Sequence, residues 1–426
     1  MRGVLAGALI ALFVCAASAS AQSPLAPLSD LAVIAPITGD APPALPWVSR
    51  PEPPEVATPR ADCISGGHHE PGIQGRVPAS VGDEGLDCNV SLLAHQGKSG
   101  GYRVWRYVDS QGHECAYYDT ALMFPLNLVR VDGTSVGVAV VDMTDPAHPV
   151  QTDTLTAISM LQPHESLNLN SARGLLVAEV GTLATAPASI VSAYSVKEDC
   201  RHPQLLFSLP LAVAGHESGF APDGKTFYAS GTTSPTITAI DLTDPHKPHV
   251  VLPFASRSHG LGISDDGNRA YLADPLGAGL IIVDVSEIQA RKPNPKVREV
   301  SRLTWRSVSI PQNAMPFSVA GHPYLLETDE FSDGIFGGDI NDVGAARIID
   351  IADETKPRVV ANLRLEVNDR RKHHELIGDP GAISPQQGYT GHYCNVVPKK
   401  DPVVVACTFT NSGLRVFDIT DIVKPK

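Results

Sequence analysis

The feature that most constrains this chain is a short apolar strand that ends in Asp and runs into a turn rich in Thr, Asp and Pro, repeated along the sequence. Copies read VGVAVVDMTDPAHP (136–149), ITAIDLTDPHKP (237–248), GLIIVDVSEIQARKP (279–293), ARIIDIADETKP (346–357) and GLRVFDITDIVKP (413–425), with a weaker one, IVSAYSVKEDCRHP, at 190–203. Self-similarity at intervals of this size, built from short strands, belongs to radial or solenoid β arrays. The clearest unit begins SHGLGIS, turns through DDGN, returns as RAYLAD and continues into GLIIVDVS and VREVSRLTW (258–305). Asp-Gly between two alternating runs marks a hairpin, so each unit has four antiparallel strands, the content of a propeller blade.

The expectation is an all-β chain: a β-propeller of six or seven blades. Six third strands can be counted, around Val141, Tyr194, Ile240, Val283, Ile349 and Phe417. The sequence stops soon after the last of them, so the final blade lacks an outer strand, and residues 89–93 (NVSLL) are expected to supply it and close the ring. The Asp of each repeat (Asp142, Asp241, Asp284, Asp350, Asp418) is expected to accept N–H groups of the following turn, and the Pro beyond it fixes φ where the chain turns outward.

The repeats VVDMTDPAHP, AIDLTDPHKP, IIDIADETKP and VFDITDIVKP resemble those of the LVIVD-repeat β-propeller proteins, over roughly residues 87 to 426. That resemblance implies the fold and says little about activity. A more distant architectural similarity, to the selenium-binding protein/methanethiol oxidase group, implies copper and histidines near the propeller axis.

The N-terminus reads as an export signal. Arg2 precedes an apolar run over 4–17, too short to span a membrane, and Ala19-Ser20-Ala21 offers small residues for cleavage. The expected organisation is a signal peptide at 1–21, a Pro-rich extended linker at 22–60 with ten prolines, and the propeller over 61–426. Export agrees with six remaining cysteines: Cys394 with Cys407 and Cys63 with Cys88 are favoured by position, leaving Cys115 and Cys200. A net charge of −13 with no basic cluster argues against nucleic acid and anionic membranes as partners.

Candidate chemistry rests on histidines at the starts of innermost strands: His164 in PHESLNL, His216 in GHESGFA, His259 in SHGLGIS and His392 in GHYCNVV. Innermost strands line the central channel, so four imidazoles from separate blades point toward one axial spot. They could hold a transition metal, Cu or Zn, with Glu165 and Glu217 beside or behind them, or serve as internal struts. Blades one and five offer Tyr102/Arg103 and Asn313/Met315 instead. Two loop clusters, His68-His69-Glu70 and His373-His374-Glu375, could add ligands, and the acidic stretches 328–334 and 338–342 could bind Ca²⁺, although neither has a complete calcium-loop pattern. No G-x-S-x-G elbow or dinucleotide fingerprint is present. The functional expectation is an exported binding or scaffold module for a protein or small ligand, the alternative a metal-dependent oxidase or hydrolase built on the axial histidines.

Overall fold

The computed structural model describes residues 39–64, 66–77, 85–97, 101–120, 136–181, 189–213, 215–231, 235–306, 309–332, 338–376 and 388–426. Six sheets follow one another in sequence, each an antiparallel meander forming a propeller blade. Their innermost strands are Val104–Val108, Asn168–Asn170, Glu217–Phe220, Leu261–Ile263, Ile310–Val319 and Gly391–Asn395. Helical structure among the described residues is confined to short pieces such as Ser286–Gln289 and Arg370–Glu375.

The repeated apolar run is continuous because both faces of a blade are buried, each against a different neighbour. In the third strand of blade four, Ile281 and Val283 pack toward blade three while Leu280 and Ile282 pack toward blade five. Every pair of consecutive blades shares such a cluster. Leu175, Val177 and Val191 of blade two meet Phe227 and Ile240 of blade three, for example. Burying one Val, Ile or Phe side chain contributes about 1.5–3 kcal/mol, so these interfaces hold the ring.

The repeat aspartates behave as the sequence predicts. Asp142, Asp241, Asp284, Asp350 and Asp418 accept the N–H two residues on, from Thr144, Thr243, Ser286, Ala352 and Thr420, at 2.6–3.0 Å. A β-bulge precedes the Asp in blades one, three, four and five, at Val140/Val141, Ala239/Ile240, Ile282/Val283 and Ile348/Ile349. It recurs in blade two at Ala193/Tyr194. A bulge adds local twist, and here it stands one or two residues before the chain turns outward.

Ring closure differs from the expectation. Blade six has three strands, Gly391–Asn395, Val404–Phe409 and Gly413–Asp418, and residues 89–93 form none. Asn89 adopts a φ of 62°, and its amide binds Ile64 N–H and Asp62 C=O at 2.7 and 3.0 Å, beside the Cys63–Cys88 disulfide. That clasp folds the segment back on its own loop, and Leu92 and Leu93 are left 81% and 70% exposed.

An outer strap ties blades three to six together. The described part of the Pro-rich segment, residues 39–60, lies along the blades' outer edges. Gly39 donates to Pro253 O (3.2 Å) on blade three, and Val48–Ser49 pairs in parallel with Leu303 and Thr304 on blade four. Thr58 N–H donates to Arg364 O (2.8 Å) at blade five. Further on, Glu70 pairs with Arg415 (3.2 Å) and Gly75 C=O accepts from Ser412 (2.6 Å) on blade six. The three disulfides follow the expected pairing, Cys63–Cys88, Cys115–Cys200 and Cys394–Cys407. No helix among the described residues is long and apolar enough to cross a membrane.

Candidate functional site: an axial histidine–glutamate cluster

Consecutive innermost strands deliver a ring of side chains at their N-terminal ends: Tyr102, His164, His216, His259, Gln312 and His392, one per blade. Their rings follow one another closely. Tyr102 stacks on His164 with centroids 4.2 Å apart and planes 9° from parallel, His164 lies 4.3 Å from His216, and His216 lies 4.7 Å from His259. The four histidines expected at the axis are therefore brought together.

At their centre stands Glu165, 1% exposed. One carboxylate oxygen lies 2.8 Å from His392 Nε2 and 3.8 Å from His164 Nδ1; the other lies 3.2 Å from His216 Nε2 and 3.7 Å from His259 Nε2. Gln312 donates its amide to that second oxygen at 2.6 Å. A second carboxylate, Glu330, comes from the end of strand His322–Glu330 in blade five and lies 3.3 Å from His259 Nε2 and 3.4 Å from His392 Nε2. Sequence reasoning placed Glu330 in a candidate calcium loop. The run HPYLLETDE, which it ends, was the available signal for a strand.

Glu217, grouped with the candidate ligands by its sequence position, has another partner. Arg103 pairs with it at 2.8 Å and Asn313 donates to the same oxygen. It lies in a lower tier, where Gly260 is required: a Cβ there would stand 1.9 Å from Glu217 Oε2. Arg103 is itself held between the rings of Trp105 and Tyr393, at 5.6 and 4.9 Å.

The electrostatics follow from this placement. Burial alone would raise the Glu165 carboxyl, but the surrounding imidazoles hold it well below the usual range. Burial opposes the charge on His392, yet hydrogen bonds from Glu165 and Glu330 push its pKa up to about 10. His216 is raised by Glu165 against its own desolvation. Burial drives His164 and His259 down to about 3, so both are neutral. His259 Nδ1 faces Pro311 O at 3.1 Å, and since a carbonyl only accepts, Nδ1 carries the proton and Nε2 presents a lone pair to the centre. Burial pushes Asp119, which binds Tyr102 N–H at 2.8 Å, up to about 7, and Glu217 to about 7.

Access comes through the seam between the last and first blades. Apolar clusters fill the five interfaces between consecutive blades, and none among the described residues bridges six to one. A cavity of about 760 Å³ opens there instead, lined by Tyr102, Trp105 and Tyr118 of blade one, His392 and Tyr393 of blade six, and Met315. Exposed Val104 and Leu414 stand at its walls.

The loop clusters do not join the axis. Glu70 neutralises Arg415 at the strap, and His69 lies beside Cys63 and Cys88, whose sulfurs are bonded to each other. Buried His373 lies 3.1 Å from Asn341 Oδ1 through Nδ1, and Arg370 pairs with Asp339 and Asp342 of the expected acidic loop. Residues 333–337, the rest of that loop, lie outside the described residues.

Fold and cluster define a six-bladed β-propeller with a buried imidazole–carboxylate centre. No protein-family model matches the chain, and no curated protein matches it. Among solved structures, a protein of unknown function from Desulfotomaculum acetoxidans is similar at 11% identity and a TM-score of 0.49, over 74% of this chain and 82% of that one. A periplasmic gluconolactonase from Pseudomonas aeruginosa is similar at 13% identity and 0.47, over 76% and 82%. A Lactobacillus plantarum protein is similar at 14% identity and 0.47, over 70% and 78%. Likenesses this loose carry no statement about activity.

Proposed function

We propose that this chain is an exported propeller that binds a divalent transition metal at its axis and acts as a metal-dependent enzyme on a small substrate reaching the centre through the seam. The observation that carries this reading is the convergence of His216, His259 and His392 Nε2 with Glu165 and Glu330, at 2.8–3.7 Å, in a buried site. A strut needs one partner per histidine. Here His216 and His259 present their Nε2 atoms to each other at 2.9 Å, and His259 is held in the tautomer that a ligating imidazole uses.

Imidazole and carboxylate donors without thiolate or thioether suit Zn²⁺ and other divalent ions better than Cu(I). Such an ion supplies Lewis acidity and a bound water of lowered pKa. The chain's own residues do the rest. Gln312 bridges Glu165 and the Tyr393 hydroxyl (2.6 and 3.0 Å), fixing the carboxylate, and Arg103 occupies Glu217 so that it does not compete for the imidazoles. The aromatic seam, whose described cations Arg103 and His392 are already paired with Glu217 and Glu165, favours an uncharged substrate. Three disulfides support export to an oxidising compartment. The sequence resemblance to LVIVD-repeat proteins is compatible with this reading and adds no activity to it.

Elemental analysis of protein purified without a histidine tag tests the proposal. Stoichiometric metal whose content falls in a folded His216→Ala variant is expected. Wild-type protein that holds no metal after equilibration with Zn²⁺ would overturn it.

A further inference from the structure

The cluster holds more donors than a single ion takes. Four imidazoles contribute one ring nitrogen each, and Glu165 and Glu330 contribute two oxygens each, which makes eight against the four to six positions of a transition-metal ion. These donors are not spread evenly. His164, Glu165 and His216 form one group whose ligand atoms lie within 4.8 Å of one another, and Glu165, Glu330 and His392 form a second. Glu165 is common to both, and its oxygens sort the imidazoles into pairs: one faces His392 and His164, the other His216 and His259. Glu330 divides in the same way, one oxygen facing His259 and the other His392. The His164 Nδ1 is buried, without a hydrogen-bond partner, and turned toward the Glu165 oxygen that His392 also faces.

We infer that the axis is a two-metal centre, one ion held by His164 and His392, the other by His216 and His259, with the Glu165 and Glu330 carboxylates bridging them. The inference rests on the metal-binding reading above and sharpens it. Two divalent ions bridged by a carboxylate, typically about 3.5–4 Å apart, clamp one substrate oxygen between them or share a bridging water. The substrate class therefore narrows to an uncharged molecule with a carbonyl or ester oxygen small enough for the seam cavity of about 760 Å³.

The test is Zn²⁺ stoichiometry on full-length, tag-free protein, stripped with chelator and then equilibrated with excess Zn²⁺ and desalted. Two Zn²⁺ per chain are expected in the wild type, and one in folded Glu330→Gln, which has lost one of the two bridging carboxylates. One ion per chain in the wild type would overturn the two-metal assignment and leave the proposed function standing. No ion would end both. Glu330→Gln that folds and still holds two ions would also overturn the assignment. Where that variant does not fold, Co²⁺-loaded wild type decides: magnetically coupled ions uphold the bridge, and uncoupled ions refute it.

Discussion

Carboxylates at the rim and at the axis of this propeller share a chemistry and meet opposite surroundings. At the rim, the repeat aspartates end their strands on turns whose N–H groups point at them. Asp241, Asp284 and Asp350 lie below the usual carboxyl range because, although partial burial opposes it, those turn hydrogen bonds and nearby arginines favour the charged form. At the axis no turn donors are available for Glu165, and its charge is answered by imidazoles contributed by four blades. A carboxylate satisfied by its own turn is a mechanical part. One satisfied by side chains drawn mostly from other blades depends on the whole ring and can exchange those partners for an ion.

The largest expected effect falls on the axis. Glu165→Gln should weaken Zn²⁺ binding by about 100-fold or more, since altering even groups outside the coordination shell costs 10–100-fold in metal sites. Competition with a chromophoric chelator measures it, and unchanged affinity would erase the distinction between axis and rim.

At the rim, the largest effect belongs to the Cys115–Cys200 disulfide, which joins blades one and two across 85 residues. Replacing both cysteines by Ser should cost about 4 kcal/mol in reducer-free denaturant unfolding, by the loop-closure argument. Zn²⁺ stoichiometry in the folded fraction should not change.

Asp241→Ala removes a buried acceptor from Thr243 N–H and from Arg291 (2.6 and 2.5 Å). A loss of about 1–3 kcal/mol in thermal or urea unfolding is expected, with metal binding intact. A loss of Zn²⁺ in this variant would mean that rim and axis are coupled.

The smallest effect is a pair of slopes in stability against pH. Rim aspartates have folded pKa values below their unfolded ones, so the unfolded chain takes up more protons in acid, and their contribution is lost as pH falls through about 4. Asp119 titrates near 7 in the fold and near 4 when unfolded. The folded chain therefore holds the extra proton between those values, and stability declines as pH rises from about 4 to 7. Asp119→Asn should flatten that decline, and Asp241→Asn should soften the acid limb. Unfolding midpoints measured from pH 3 to 8 distinguish the two.

The sequence made some of this architecture legible for local reasons. Blade strands show in period-two runs buried on both faces, and the aspartate turns need only residues two apart, such as Asp142 and Thr144. The histidines were found because innermost strands converge by construction. Glu330 was missed because an acidic stretch looks like a surface loop until the strand before it is known to end at the axis. The expected closing strand failed because Asn89 binds its own loop, a contact with Ile64 that no periodicity encodes. The seam and the strap depend on contacts between distant parts of the chain. Gly39 to Pro253 is one such contact, and neither partner announces it.

The strap also sets an order of events. Residues 39–60 leave the ribosome before any blade, and Phe254, Leu303 and Arg364, on which they rest, are made two to three hundred residues later. Until then this stretch has to wait in solution beside half-built sheets without joining them. Proline suits the wait, because it lacks the N–H through which a nascent segment would add itself to an open edge. The composition that makes this region look idle keeps it free until the wheel it binds has been assembled.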